Sequence, residues 1–163
     1  MKFRQAYMII LLLLIALVAC QAASPEEGFI KEDKSEIVQL TLERALVDQE
    51  IPDYGLLTAE GNELILSSEN IEDVDVGEVP GFDLVVLSPE EIQAKADAEG
   101  DFLYLFFNPF EEESVDRVNV SFGSQWAVAQ DSTSGYLSGG GLQLVYDRQP
   151  EGWVGEVTAM WIS

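Results

Sequence analysis

Apolar and polar positions follow two different periods along this chain, and the change of period divides it. From Ser35 to Glu50 (SEIVQLTLERALVDQE) the spacing is helical. Val38, Leu42 and Ala45 share one face, with Leu46 at its edge, while Glu36, Gln39, Glu43 and Glu50 fall on another. The first set predicts a packed face and the second a solvent stripe. Asp33 or Ser35 is placed to cap the start, and Pro52, which cannot donate to a helical ladder, ends it. Two short apolar runs follow, Glu63–Ser67 and Asp83–Leu87, read as strands, the second apolar enough to be buried. They are joined by an acidic connection over 68–82. Ser88-Pro89-Glu90-Glu91 then opens a second helix: Ser88 caps it, Pro89 takes the first helical position and Glu91 completes a capping box. That helix runs to about Glu99 and ends at Gly100.

From Asp101 the pattern is that of longer strands. Phe102–Phe107 (FLYLFF) reads as a buried strand, and 108–114 as a loop. Arg117–Phe122 alternates strictly, with Val118, Val120 and Phe122 on one face. Gly123 suggests a bulge before the strand resumes at Trp126–Ala129. A turn at 131–135 leads to a strand over Tyr136–Tyr146 carrying Gly139-Gly140-Gly141. A hairpin turn at Gln149–Gly152 leads to the last strand, Trp153–Ile162. The chain ends Met160-Trp161-Ile162-Ser163 without a charge, which predicts a buried terminal strand.

The order is helix, two strands, helix, then four strands joined by hairpin-length loops, which pair antiparallel. The fold class expected is α+β, with two helices packed on one face of a curled four-stranded (or larger) antiparallel meander sheet. This arrangement resembles cystatin-like and nuclear-transport-factor-like cones in architecture alone, because no motif of either family is present.

The first twenty residues have a different character. Lys2 and Arg4 precede an uncharged apolar run, Ala6–Ile15, and small residues lead to the chain's single cysteine, Cys20. This is the layout of a secretory signal, and its apolar stretch is short of the roughly 20 residues a membrane-spanning helix needs. Leu17-Val18-Ala19-Cys20 resembles the lipobox of bacterial lipoproteins. That resemblance implies cleavage before Cys20, acylation of that cysteine and attachment to a membrane through its acyl chains. With Gln21 after the cysteine, where an aspartate would imply inner-membrane retention, it implies the outer membrane in a Gram-negative host. The expected organisation is a signal over 1–19, an acylated cysteine and acidic tether over 20–34, and a single domain over 35–163.

Charge sharpens this picture. All 30 acidic residues follow Cys20, and removal of Lys2 and Arg4 leaves six basic residues in the mature chain, a net charge of −24. Such a surface repels nucleic acid and anionic headgroups, which leaves no nucleic-acid partner and a membrane held through acyl chains alone. The chain has no histidine, which removes imidazole acid–base work, histidine metal sites and serine–histidine triads. Acylation of Cys20 removes thiol chemistry. Gly139-Gly140-Gly141 lacks the lysine and hydroxyl residue of a phosphate loop, so its glycines are read as structural, for a bend or a close approach. No cofactor motif is present. Asp73, Asp75 and Glu78, with Glu72, stand near Gly77 in a pattern that suggests a weak calcium site. However, Val74 and Val76 occupy positions where an EF-hand needs ligands. An acidic surface loop is the plainer reading, and the same holds for Glu111-Glu112-Glu113. Trp126, Trp153 and Trp161, with Tyr104, Tyr136 and Tyr146, all fall in strands, as core or as the lining of a cone.

No catalytic residue can be named from this pattern. The reading it supports is a lipid-anchored envelope protein with a non-enzymatic binding or structural role toward an unknown protein or small ligand. The alternatives are a small carboxylate-dependent hydrolase or isomerase with a cone-shaped pocket, and a calcium-dependent surface protein. The acidity combined with only three lysines after Cys20 (Lys31, Lys34 and Lys95) also suggests adaptation to a salty medium, where screening relieves self-repulsion. The melting temperature is therefore expected to rise with added NaCl; a melt indifferent to salt would show that the acidity has another cause.

Overall fold

The computed structural model describes residues 29–133 and 139–162. The signal, Cys20 and Tyr136 lie outside them. Helix α1 (Lys31–Leu42) passes into a wide π turn (Glu43–Val47); α2 is a single turn (Tyr54–Leu57) and α3 spans Pro89–Glu99. Seven strands follow in chain order: β1 (Glu63–Ser67), β2 (Asp83–Leu87), β3 (Phe102–Phe107), β4 (Glu111–Ser114), β5 (Arg117–Ala127), β6 (Gly140–Gln149) and β7 (Gly152–Ile162). They form one sheet in the order β2-β1-β3-β5-β6-β7, with β4 also paired to β5. The protein is thus a mixed α/β fold on one curled sheet.

The helices do not share a face, contrary to expectation. Ile37, Val38, Leu42, Ala45 and Leu46 of α1 and its π turn are wholly buried in the main core. There they meet Leu105, Phe107, Val120, Phe122, Leu142 and Leu144 from the inner face of the sheet. Helix α3 lies on the opposite, outer face, where Ile92 and Ala96 pack on Ile65 and Ala127. Strand β1 is covered on both sides, which explains its unbroken apolar run.

Nor is the sheet all antiparallel. Strand β1 pairs parallel with both β2 and β3, while β3, β5, β6 and β7 pair antiparallel. Parallel neighbours need a crossover of a dozen residues or more, and the acidic connection 68–82 supplies it. Ile71 and Val79 of that segment are buried in the main core, with Val74 and Val76 packed against it. Asp73, Asp75 and Glu78 are left exposed on its solvent side. Strand β2 forms the edge beyond β1, so Val85 and Val86 are exposed rather than buried as expected.

Helix α1 begins four residues earlier than the sequence pattern suggested, and part of the expected tether belongs to the fold. Asp33 is the reason. Its carboxylate is buried, accepting from Arg148 Nη2 at 2.6 Å, Trp153 Nε1 at 3.0 Å and the Ile30 backbone N–H at 3.1 Å. Phe29 lies edge-on to Trp153, with ring centroids 6.2 Å apart. Glu36, expected on a solvent stripe, accepts from the Trp153 backbone N–H, and Arg44 donates to the Gly155 carbonyl at 2.6 Å. Both groups belong to the outermost strand, so α1 occupies part of a sheet edge that would otherwise present unpaired backbone. The helix is further tied to β6 by Thr41, whose hydroxyl lies 2.9 Å from the Tyr146 hydroxyl inside the core. Gln49, at φ 60°, turns the chain out of the helix before Pro52 is reached.

Burial alone would push the Asp33 carboxyl up, but the hydrogen bonds from Arg148, Trp153 and Ile30 outweigh it and hold it below the ordinary aspartate range. A carboxyl depressed on folding adds stability above its unfolded pKa and loses it as pH falls. Asp33→Asn should therefore cost about 3 kcal/mol at neutral pH, because it leaves Arg148 without its buried partner. The gap to the parent protein should narrow as pH drops below about 4. Urea denaturation of both proteins across that range checks this; a gap independent of pH would contradict it.

Candidate functional site

Strands β3 and β4 are two pieces of one partner to β5, meeting the same side of it at Phe107↔Phe122 and again at Glu111↔Asn119. The break between them follows from its residues. Pro109 has no N–H for a ladder, and Phe110 stacks on Phe107 at 5.8 Å between centroids and lies 6.2 Å from Phe29. Asn108 stays beside β5, its side-chain amide donating to Ser121 Oγ at 2.9 Å. The interruption leaves a trough of about 560 Å³ whose lining includes Asn108, Asn119, Ser121, Gln143 and Thr158, with Glu111 among them.

The trough lies on the outer face. The buried residues Val120, Phe122, Leu142 and Leu144 point inward to α1, so their neighbours Ser121, Gly123, Gly141 and Gln143 point outward. Pairing register sets these outward residues in rows. One row runs Phe106, Gly123, Gly141, Trp161 across four strands. A Cβ built on Gly141 would stand 2.6 Å from the Trp161 ring, and one on Gly123 would stand 2.9 Å from it. The indole therefore lies over both glycines and is half-buried. The next row holds Ser121, Gln143 and Ala159, with Thr158 at the β-bulge beside Gln143. On the far side of the aromatic row, Tyr104 faces Gln125 and the two side chains are hydrogen-bonded. Helix α3 reaches this face as far as Phe102 and Tyr104.

Several expectations change. Gly123 is not a bulge, since β5 runs unbroken through it. Residues 111–114, expected in a loop, form β4. The terminal strand is not buried: Met160 and Ile162 are 59% and 69% exposed. Trp153 and Tyr146 are core residues, whereas Trp126, Trp161 and Tyr104 are half-buried.

The weak metal candidates do not converge. Asp73 forms an ion pair with Lys34 at 2.8 Å, and the hydrogen bond from that ammonium holds its carboxyl below the ordinary range. Glu78 meets Gln39 through its backbone carbonyl, which accepts from Gln39 Nε2 at 3.0 Å. Gln39 thus turns its nitrogen toward Glu78 and Glu43, and its oxygen, enclosed beside Gly77, has no hydrogen-bond partner. Among the described residues no group of three acidic side chains is placed to hold a metal ion. A carboxylate enzyme needs an acid with a raised pKa facing a cavity. Asp33, the buried acid among the described residues, is shifted down and enclosed by Arg148 and Trp153. Five of the six described cations are also committed: Lys34, Arg44, Lys95, Arg117 and Arg148 each pair with a carboxylate, and Lys31 is the exception.

Sequence reading saw the polar face of β5 and the aromatic content of the strands but not the trough or the row. The signal for the trough was Asn108-Pro109. The row has none, because it depends on register across four strands.

No protein-family model, curated protein or solved structure matches this chain. The likeness to cystatin-like and nuclear-transport-factor-like cones therefore rests on element order alone, and the parallel β2-β1-β3 half departs from the meander on which that likeness was drawn.

Gly141→Ala should destabilise the protein by about 1–3 kcal/mol, since its Cβ would crowd the Trp161 ring and the Phe122 carbonyl oxygen, 2.5 Å away. Urea denaturation reads this directly, and an unchanged midpoint would mean that the indole does not lie over the glycine.

Proposed function

We propose that this chain is a lipid-anchored, non-enzymatic binding module of a bacterial cell envelope, tethered through acyl chains on Cys20. The observation that carries the proposal is Leu17-Val18-Ala19-Cys20 at the end of an uncharged apolar run, with no other cysteine in the chain. Two features support the binding role. The polar trough and the aromatic row lie side by side on a sheet face that α3 covers only in part. Asp33, the buried acid, is held below the ordinary aspartate range, and among the described residues no three acidic side chains are placed to hold a metal ion. The apolar run before Cys20 is shorter than the roughly 20 residues a membrane-spanning helix needs, which favours attachment through the acyl group.

A mature chain at −24 repels anionic headgroups, which holds the domain away from the bilayer that anchors it. In a bacterial host fed an alkyne-tagged palmitate, the parent protein should take up the label and sediment with membranes. Cys20→Ser should lose the label and keep its uncleaved signal, visible as a mass larger by residues 1–19. Labelling that persists in Cys20→Ser would defeat the proposal.

A further inference from the structure

We propose that the outer face, from the Phe106–Trp161 row to the trough beside Asn108, is a platform for a neutral oligosaccharide. This rests on the binding-module reading and names its ligand class.

The first argument is charge. Thirty of the 163 residues are acidic, yet the Tyr104–Gln125 row, the Phe106–Trp161 row and the Ser121–Gln143 row carry no ionised side chain. Carboxylates appear in the next row, where Glu111, which also lines the trough, and Glu156 stand with Asn119 and Val145. A basic peptide would find most of its counter-charges elsewhere on the molecule. An anionic ligand would meet no uncommitted cation in these rows, since Arg117 is held by Glu113 and Asp147, and Lys95, over Phe102, by Glu99.

The second argument is the kind of group presented. The Trp161 indole sits over two glycines, which have no side chain to compete for the space, and at half burial it keeps part of its apolar surface open to solvent. Flat aromatic faces receive the C–H faces of pyranose rings, while planar amides, with a donor and an acceptor side by side, match neighbouring hydroxyls. Gln143 is exposed and holds no side-chain hydrogen bond. Asn108 and Asn119 spend their amide nitrogens on Ser121 and Glu113, which leaves their carbonyl oxygens for a ligand. The hydroxyl of Thr158, bonded to the Gln143 carbonyl, retains its lone pairs.

The third argument is spacing. Residues two apart on one strand face are separated by about 6.6 Å. The stacking row and the amide row are therefore neighbours at a distance one sugar ring can span, and the trough continues the same line along β5.

The test uses the full chain in detergent micelles, titrated with chitohexaose, cellohexaose and maltohexaose, with hexagalacturonate as an anionic counterpart. Tryptophan fluorescence and calorimetry are the readouts. The expected result is binding of at least one neutral hexaose with a Kd of about 1 mM or tighter, and none of the uronate. Gln143→Glu puts a charge at an exposed position, so it should leave the melt unchanged and weaken binding about tenfold. Trp161→Ala should abolish binding, and Trp161→Phe should restore part of it. The proposal is overturned if no neutral hexaose binds or if Gln143→Glu binds like the parent. It is equally overturned if concentration-dependent self-association disappears in Gln143→Glu, which would assign the face to a second copy of this chain. Palmitate labelling of the same samples separates the two readings: label without glycan binding removes the ligand class alone, whereas absence of label removes the anchored module.

Discussion

A buried carboxylate near the start of the domain sets the position of its first helix and its last hairpin. Asp33 has lost most of its water, and three donors replace it: the Arg148 guanidinium, the Trp153 indole and the Ile30 amide. The ion pairs of Lys95 with Glu99 and of Arg117 with Glu113 and Asp147 are more open to solvent and contribute about 0–1 kcal/mol each. The Asp33 cluster differs in kind, because each lost donor would leave a desolvated charge. It also fixes the angle of α1 against β7, which brings Glu36 and Arg44 to the backbone of that strand and Thr41 to Tyr146. Arg148 closes the cluster by stacking over the Trp153 ring at 4.6 Å.

The outer face obeys the converse rule. Inside, the polar groups around Asp33 are saturated. Outside, the rows from Tyr104–Gln125 to Ser121–Gln143 carry uncharged side chains, and several keep unused hydrogen-bonding capacity. The broken β3–β4 strand and the two glycines of the Phe106–Trp161 row create this face without adding any element. A proline removes one ladder donor and opens the trough, and two missing side chains make room for an indole.

What could be read in advance followed from how local each signal is. The capping box at Ser88–Glu91 formed as its four residues require, with Glu91 accepting from Ser88 N–H and Ser88 from Glu91 N–H. The hairpin at Gln149–Gly152 and the alternation of Val118, Val120 and Phe122 were equally local. The start of α1 was not, because Asp33 looks like a cap in sequence and is held by residues at the other end of the chain. The parallel β1–β2 pairing was not read, because two five-residue apolar runs do not reveal direction. Its clue was the length of 68–82, too long for a hairpin. The carboxylate pattern around Gly77 was legible as periodicity but not as cause. It is the solvent side of a crossover whose other side, Ile71, Val74, Val76 and Val79, packs on the core. The Phe106–Trp161 row and the trough were invisible for the same reason as the sheet order: each is a property of register.

The Asp33 cluster also governs when the domain can close. Its partners lie 115 and 120 residues downstream, one on each strand of the β6–β7 hairpin, the last of the described elements. Contacts so distant in sequence form late and slowly, since a long loop must be closed before they reward it. The first helix therefore has no permanent seat until nearly all of the chain is present. For a chain proposed to be exported, that order of events has a use: the polypeptide stays open and threadable during its passage, and the event that locks it is the arrival of its own C-terminal hairpin.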